Sequence, residues 1–250
     1  MTAAYELAGR GIPCTVFERD ETLGGLAGSF RVGGTYLEKF YHHLFTSDTA
    51  MAGMIDALGL GGKMEWLPTT NSYFVNRIYR LSTPMDLLRF SAISLWDRFR
   101  LGLLYVQTRF VSDWRPLEEI TAREWLVRMA GESVYRGVWE PLLRGKFGAY
   151  ADEVAAVWIW NKLKLRGGSR GKSQEERLGY LRGGFGQAIE AWERELRRRG
   201  VEIVTGSPVE EIRIQDGRAR GVVVQGKFQA FEQVLVATAP EVFVHTAPGL

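Results

Sequence analysis

The chain has 250 residues, of which 46% are hydrophobic and 24% are charged, a composition typical of a globular protein with a sizeable core. Its 32 basic and 29 acidic residues leave a net charge of +3, too small an excess to indicate a nucleic-acid-binding protein. A single cysteine, Cys14, excludes an intramolecular disulfide framework and favours a reducing compartment. Apolar runs stay below the ~18 residues of a membrane span, and Glu6 interrupts any signal-peptide core. We therefore expect a cytoplasmic protein.

The first elements are predicted to be a helix and then a strand. Residues 2–10 are rich in strong helix formers and are followed by Gly11, a common C-terminal stop. Residues 12–17 are apolar and β-prone, which predicts a strand buried on both faces. This order corresponds to the second half of a strand-helix-strand unit, whose first strand would precede Met1.

The middle of the chain is predicted to be mostly helical. Apolar residues recur at helical spacing in several segments, namely 48–59, 121–130, 135–143 and 152–165. Residues 84–110 predict one long amphipathic helix or two, with several arginines between the apolar positions. This segment either packs on the helical block with a solvated polar face or rests on anionic lipid. A glycine-rich, basic loop is predicted at 166–177.

The last third returns to an α/β texture. Residues 187–199 predict a helix that stops at Gly200, and strands are predicted in VEIVTG (201–206), in 209–226 and in KFQAFEQVLVATAP (227–240). Asp216-Gly217 predicts a hairpin turn. We therefore divide the chain into three parts. Residues 1–69 form the first part of a nucleotide-binding domain, residues 70–182 form a helical substrate domain, and residues 183–250 form the return segment of the nucleotide-binding domain.

Glu18 ends the first predicted strand. In strand-helix-strand dinucleotide folds, an acid at this position accepts hydrogen bonds from ribose hydroxyls and lies ~20 residues beyond a glycine loop. Counting back from Glu18 places such a loop just before Met1. From these residues alone, Glu18 and Arg19 could equally form an ordinary solvated strand end, and Gly24-Gly25 an ordinary turn.

The string AAYELAGRGIPCTVFERDETLGGLAGSF (3–30) resembles the N-terminal signature of the FAD-dependent amine oxidase superfamily. This superfamily includes protoporphyrinogen oxidases, phytoene desaturases and, more distantly, UDP-galactopyranose mutases. LRGGFGQAIEAWERELRRRGVEIVTGSPVEEI (181–212) and VLVATAP (234–240) resemble two later segments of the same family. The resemblance implies a mixed α/β fold, in which a Rossmann-like FAD-binding domain lacking its first strand is interrupted by a mostly helical substrate domain.

The resemblance also implies which residues bind FAD. It assigns Glu18 to the adenosine ribose with Arg19 beside it, and Gly24 and Gly25 to the phosphate and flavin end. In the return segment it implies that a glycine pair opens a helix, that a valine backbone meets the adenine, and that a Thr-x-Pro end lies near the cofactor. The residues concerned are Gly183, Gly184, Val209, Thr238 and Pro240. Leu26 stands where many relatives have arginine.

His42 and His43 are candidates for the substrate pocket. The resemblance implies that their segment passes near the flavin, whereas packing histidines are the alternative. Glu38 is close in sequence, but the third histidine, His245, lies in the terminal tail, so we expect no metal site.

The resemblance implies an FAD-dependent oxidoreductase in which the flavin accepts a hydride from an apolar substrate such as a polyene, terpenoid or porphyrinogen. Two alternatives stay open: a flavin-dependent UDP-galactopyranose mutase-like isomerase and an inactive truncated product. The expected partners are a small hydrophobic substrate and, through residues 84–110, the surface of a membrane, which would make the protein membrane-associated. The residues do not identify a catalytic acid, base or nucleophile.

Overall fold

The computed structural model describes residues 1–75, 77–168 and 176–248, with the backbone alone for 166–168. The chain divides into two compact units. The first contains Met1–His42, Met54–Lys63 and Leu181–Leu250, and the second contains His43–Gly53 and Met64–Tyr180.

The described strands and helices follow one another in a mixed α/β order. The strands are β1 Thr15–Phe17, β2 Ser29–Val32, β3 Thr35–Glu38, β4 Leu44–Phe45, β5 Met64–Pro68, β6 Ser72–Phe74, β7 Ile78–Arg80, β8 Arg177–Leu181, β9 Glu202–Val204, β10 Val209–Gln215, β11 Arg218–Val224 and β12 Lys227–Ala230. The helices are α1 Thr2–Gly9, α2 Thr49–Ala57, α3 Pro84–Arg89, α4 Leu95–Gln107, α5 Ala122–Ala130, α6 Glu132–Val134, α7 Glu140–Phe147, α8 Ala156–Gly168, α9 Gly186–Arg198 and α10 Pro240–Thr246. The mixed α/β fold class is confirmed.

The first unit contains a parallel strand pair. β1 pairs with β9, with Phe17 opposite Val204. The strand is shorter than predicted: it begins at Thr15, since Pro13 has no backbone N–H to give to a ladder and Ile12 is 47% exposed. Its side chains are half-buried, so the prediction of burial on both faces was wrong.

The first unit also contains an antiparallel sheet of β10, β11 and β12 and a hairpin of β2 and β3. The predicted hairpin is confirmed, because Asp216 and Gly217 join β10 to β11 with φ of 52° and 69°, as a type I′ turn requires. The strand predicted at VLVATAP was wrong. Residues 231–239 have no strand structure, and Leu235 is 67% exposed, because no strand pairs with this segment in the part of the chain described here.

The second unit is helical around an aromatic core. Its buried side chains include Phe90, Leu101, Leu104, Trp125, Leu126, Trp139, Leu143 and Trp160. The segment 84–110 forms two helices, one of the two predicted alternatives, because the chain leaves helix α3 at Phe90 and Ser94 caps α4 by accepting the Asp97 N–H.

The other helical predictions hold with shifted boundaries. α5 starts with a reciprocal capping box between Thr121 and Glu124. A π-helical turn, Tyr135–Trp139, precedes α7, and α8 continues to Gly168, so the start of the loop predicted at 166–177 is helical instead. Residues 169–175 of that loop lie outside the described residues. Among the described helices, none has both the length and the apolar character needed to cross a bilayer.

Candidate cofactor site

Glu18 is fixed at the end of β1 by its own backbone. Its N–H donates to the carbonyl oxygen of Val204 at 2.9 Å, and its carbonyl oxygen accepts the Ser207 N–H at 2.9 Å. The Asp20 N–H donates to Glu18 Oε1 at 3.0 Å, which orients the carboxylate. Exposed Arg19 pairs with Asp20 at 3.4 Å, and no ion pair with Glu18 forms among the described residues, although the N-terminal ammonium of Met1 interacts with it electrostatically.

The turn after β1 carries adjacent backbone donors without protein acceptors. Gly24 and Gly25 have φ of 119° and 52°, and a short 3₁₀ turn follows at Gly25–Ala27. Within the described residues, the N–H groups of Gly24, Gly25 and Leu26 donate to no protein group, as is usual for the first turn of a helix. A Cβ on Gly25 would meet nothing within 4 Å. The turn therefore offers accessible N–H donors.

These two features fit the polar parts of a dinucleotide. A carboxylate accepts hydrogen bonds from ribose hydroxyls, and successive N–H groups in left-handed conformations bind anionic phosphate oxygens. Leu26, which is 78% exposed, adds an N–H but no charge. The donor and acceptor set of this turn and of Glu18 therefore suits a nucleotide cofactor.

The second glycine pair has a packing role in the structure. Gly183 and Gly184 have φ of 89° and 90° and precede α9. A Cβ on Gly184 would overlap the carbonyl oxygen of Tyr36, and the Tyr36 N–H donates to Gly183 O at 3.1 Å. The carboxylate of Glu38 accepts the Phe185 N–H at 2.6 Å. Close approach of β3 to the start of α9 therefore explains why glycine is required at 184.

Val209 follows the segment that bonds the backbone of Glu18. It is the first residue of β10, opposite Val224, and it follows by two residues the Ser207 N–H that bonds Glu18. The structure thus joins the backbone of Glu18 to the segment that leads into β10. Sequence reasoning missed Ser207, although the Gly-Ser-Pro turn in which it lies was a readable signal.

Thr238 lies beside an apolar cavity of the first unit. It is exposed and lies just before Pro240, the first residue of α10, and its Oγ1 donates weakly to Ala239 O at 3.4 Å. Thr238 and Pro240 line an apolar cavity of about 480 Å³ together with residues such as Ile212, Val234 and Phe243. No hydrogen bond within the described residues connects Thr238 to Glu18.

The two candidate histidines have different surroundings. His42, in the first unit, donates its Nδ1–H to the Phe40 carbonyl at 2.6 Å. His43, in the second unit, is half-buried and packs edge-on against Phe45, with ring centroids 5.2 Å apart. In the described parts of the chain, no group of three or more His, Cys, Asp or Glu side chains is arranged to hold a metal ion.

Comparison with known proteins identifies the family. A family model described as flavin containing amine oxidoreductase matches residues 1–247. The chain belongs to this family. Membership implies a flavin cofactor, in agreement with the donor and acceptor set at Glu18 and Gly24–Leu26.

Individual relatives are similar but distant. Protoporphyrinogen oxidase 2, chloroplastic/mitochondrial, of Arabidopsis thaliana is 24% identical over 179 residues, which are 67% of this chain and 35% of that protein. An oxidoreductase from Methanosarcina mazei has a TM-score of 0.66 at 20% identity, covering 92% of this chain and 54% of its own. A putrescine oxidase solved with bound putrescine has a TM-score of 0.69 at 16% identity, and the match covers 97% of this chain and 56% of the putrescine oxidase chain.

These similarities confirm the predicted family and fold. The chain spans about a third of the curated relative and little more than half of the two solved ones. Nothing in these comparisons favours the mutase alternative.

Proposed function

We propose that this chain is part of an FAD-dependent oxidoreductase in which the flavin accepts a hydride from an apolar substrate. The observation that carries the proposal is the Glu18 carboxylate, which follows a parallel strand and has only one of its two oxygens bonded within the described residues, by the Asp20 N–H. A ribose needs an acceptor of this kind.

The residues of this chain would bind and orient the cofactor. Glu18 would accept hydrogen bonds from the ribose, because the Asp20 N–H occupies only Oε1 and leaves Oε2 available. The N–H groups of Gly24, Gly25 and Leu26 would donate to the phosphates. Arg19, Val209 and Thr238 are further contacts that we propose from the family resemblance. Bound FAD would supply the hydride acceptor.

The buried aromatic and aliphatic side chains of the second unit form its packed core. The apolar substrate class, a polyene, a terpenoid or a porphyrinogen, is therefore proposed from the family resemblance. His42 and His43 would line the substrate pocket. Putrescine, the compound bound in the solved putrescine oxidase, serves as the polar compound against which an apolar substrate is compared.

The test uses the purified full-length protein. We expect it to carry a yellow flavin that is released on denaturation as FAD. In the absence of oxygen, protoporphyrinogen should bleach the flavin absorbance, whereas putrescine should not. Release of FMN would contradict the role of Glu18, because FMN has no adenosine ribose. A colourless protein that does not take up FAD would refute the proposed function.

A further inference from the structure

Helix α4 has two apolar faces. One is buried in the core of the second unit, where Leu101 is 2% exposed and Leu104 is fully buried. The other is open to solvent and consists of Leu95, Trp96, Phe99, Leu103, Val106 and, just beyond the helix, Phe110. We call these six residues the α4 apolar face. A helix on the surface of a globular domain usually shows polar side chains on the side away from the core.

The α4 apolar face is continuous. Its residues recur at spacings of three and four, which places them on one side of the helix. Trp96 stacks on Phe99 with ring centroids 5.7 Å apart and an interplanar angle of 21°. Trp96 is 63% exposed, Phe99 61% and Phe110 81%, so aromatic rings form much of the open surface. An aromatic surface of this kind marks a site of interaction.

Helix α3 extends this surface. The Arg98 guanidinium donates to the Leu88 carbonyl at 2.6 Å and to the Ile93 carbonyl at 3.1 Å, which holds the end of α3 against α4. Leu88 is itself 60% exposed. The apolar area is therefore built from two helices joined by a hydrogen-bonded arginine.

The surroundings of the α4 apolar face are basic. Residues 87–112 contain a single acid, Asp97, which is buried and accepts hydrogen bonds from Ser94 and Ser133. The four basic residues of this segment are Arg89, Arg98, Arg100 and Arg109. Arg89 and Arg109 are exposed and form no ion pair or hydrogen bond within the described residues. Their charge is therefore available to an anionic partner.

We propose that the α4 apolar face docks on the surface of an anionic lipid bilayer, with α4 lying in the plane of the interface. Aromatic and aliphatic side chains would enter the boundary between headgroups and acyl chains, and the arginines would contact the lipid phosphates. At 13 residues, α4 is roughly 20 Å long, which is too short to cross a hydrocarbon core of ~30 Å. The inference does not depend on flavin binding.

Vesicle flotation of the purified full-length protein tests the inference. We expect binding to phosphatidylcholine vesicles that contain phosphatidylglycerol, and weaker binding to phosphatidylcholine alone or at high salt. Trp96→Ser together with Phe99→Ser should lower the affinity at least about tenfold, because two exposed aromatic contacts are lost. Val244→Ser is the matched control, since Val244 is also a helical apolar residue and is 67% exposed.

A second pair of variants tests the basic residues separately. Arg89→Gln with Arg109→Gln should lower the affinity for the anionic vesicles by about 30-fold, at about 1 kcal/mol for each arginine near the surface. Arg10→Gln with Arg218→Gln removes two exposed arginines elsewhere and should leave binding unchanged.

Three outcomes would overturn the inference. They are an absence of vesicle binding, equal binding to neutral and anionic vesicles, and vesicle binding that the serine variants leave intact. If the serine variants instead convert a dimer into a monomer in gel filtration, the face is an interface between two copies of the chain, and the lipid proposal is wrong.

Discussion

The N–H of Ser207 donates to the carbonyl oxygen of Glu18 at 2.9 Å and thereby joins residues 189 positions apart in the chain (207 − 18). Together with the bond from the Glu18 N–H to Val204, it holds the residue that follows β1 against the end of β9 and the segment after it. The Glu18 carboxylate is thus supported by backbone, while its second oxygen stays available.

Replacing Glu18 by glutamine should weaken FAD binding about tenfold or more. The amide keeps the size of the side chain and an acceptor for Asp20, but it loses the charge that strengthens hydrogen bonds from ribose hydroxyls. Titration of the apoprotein with FAD, followed by fluorescence quenching, measures the effect. Glu6→Gln removes an exposed carboxylate on α1 and serves as the control. Equal affinities for the two variants would contradict the ribose assignment.

Gly25→Ala should lose FAD while costing little stability. The left-handed φ of 52° disfavours alanine by about 1 kcal/mol, and the added methyl group would occupy the open space beside the proposed phosphate donors. Gly11→Ala is a close match, since Gly11 has φ of 73° and also has nothing within 4 Å of a Cβ. Urea unfolding should give similar losses in the free energy of unfolding for both variants. Titration with FAD should show weakened binding for Gly25→Ala and unchanged binding for Gly11→Ala. If both retain FAD equally, the turn does not contact the cofactor.

Glu195 should stabilise the first unit only above acidic pH. Hydrogen bonds from Arg198 and Arg199 lower the pKa of its carboxyl to about 2, from an ordinary value of 4.5. A lowered pKa in the folded state adds stability above the unfolded pKa, and this contribution disappears as the pH falls from about 4.5 towards 2. Glu195→Gln should therefore lower the melting temperature at pH 7. The difference in melting temperature between this variant and the unmodified protein should become smaller as the pH falls from about 4.5 towards 2.

Arg199, one of the two arginines that pair with Glu195, also contacts another helix. Arg199 lies over the Tyr5 ring, 3.7 Å from its centroid, so Glu195 orients a side chain that connects α9 to α1. Glu6→Gln again provides the control, because Glu6 has no ion-pair partner among the described residues. A loss of melting temperature that stays constant from pH 7 to pH 3 would argue against an ionised Glu195.

Adjacent leucines on α4 should respond differently to truncation. Leu104 is fully buried in the core of the second unit, so Leu104→Ala should lower the free energy of unfolding by about 2–5 kcal/mol. Leu103 belongs to the α4 apolar face and is 40% exposed, so Leu103→Ala should cost less than about 1 kcal/mol. Urea denaturation of both variants makes the comparison. Equal losses would mean that the face is covered in the folded protein.

Local signals in the sequence predicted much of the first unit. Asp216 and Gly217 accept left-handed backbone conformations, so they indicate a hairpin wherever the rest of the chain lies. Glu18 was singled out because it ends a predicted strand, and the family resemblance then implied its role as a ribose acceptor. These features depend on short-range conformational preference, which the residues themselves carry.

Other features depended on contacts between distant segments. VLVATAP has the β-propensity of a strand, but a strand also needs a neighbour to take its backbone hydrogen bonds, and none pairs with it in the described residues. The glycine at 184 is explained by the approach of Tyr36, which is remote in sequence.

The sequence by itself determined the family, the α/β order and the positions of the acid and the first glycine turn, because motif spacing and local propensity are written along the chain. Only the tertiary structure decided which apolar side of α4 is buried. Both Leu103 and Leu104 fit a helical hydrophobic pattern, and burial is a property of the packing around them.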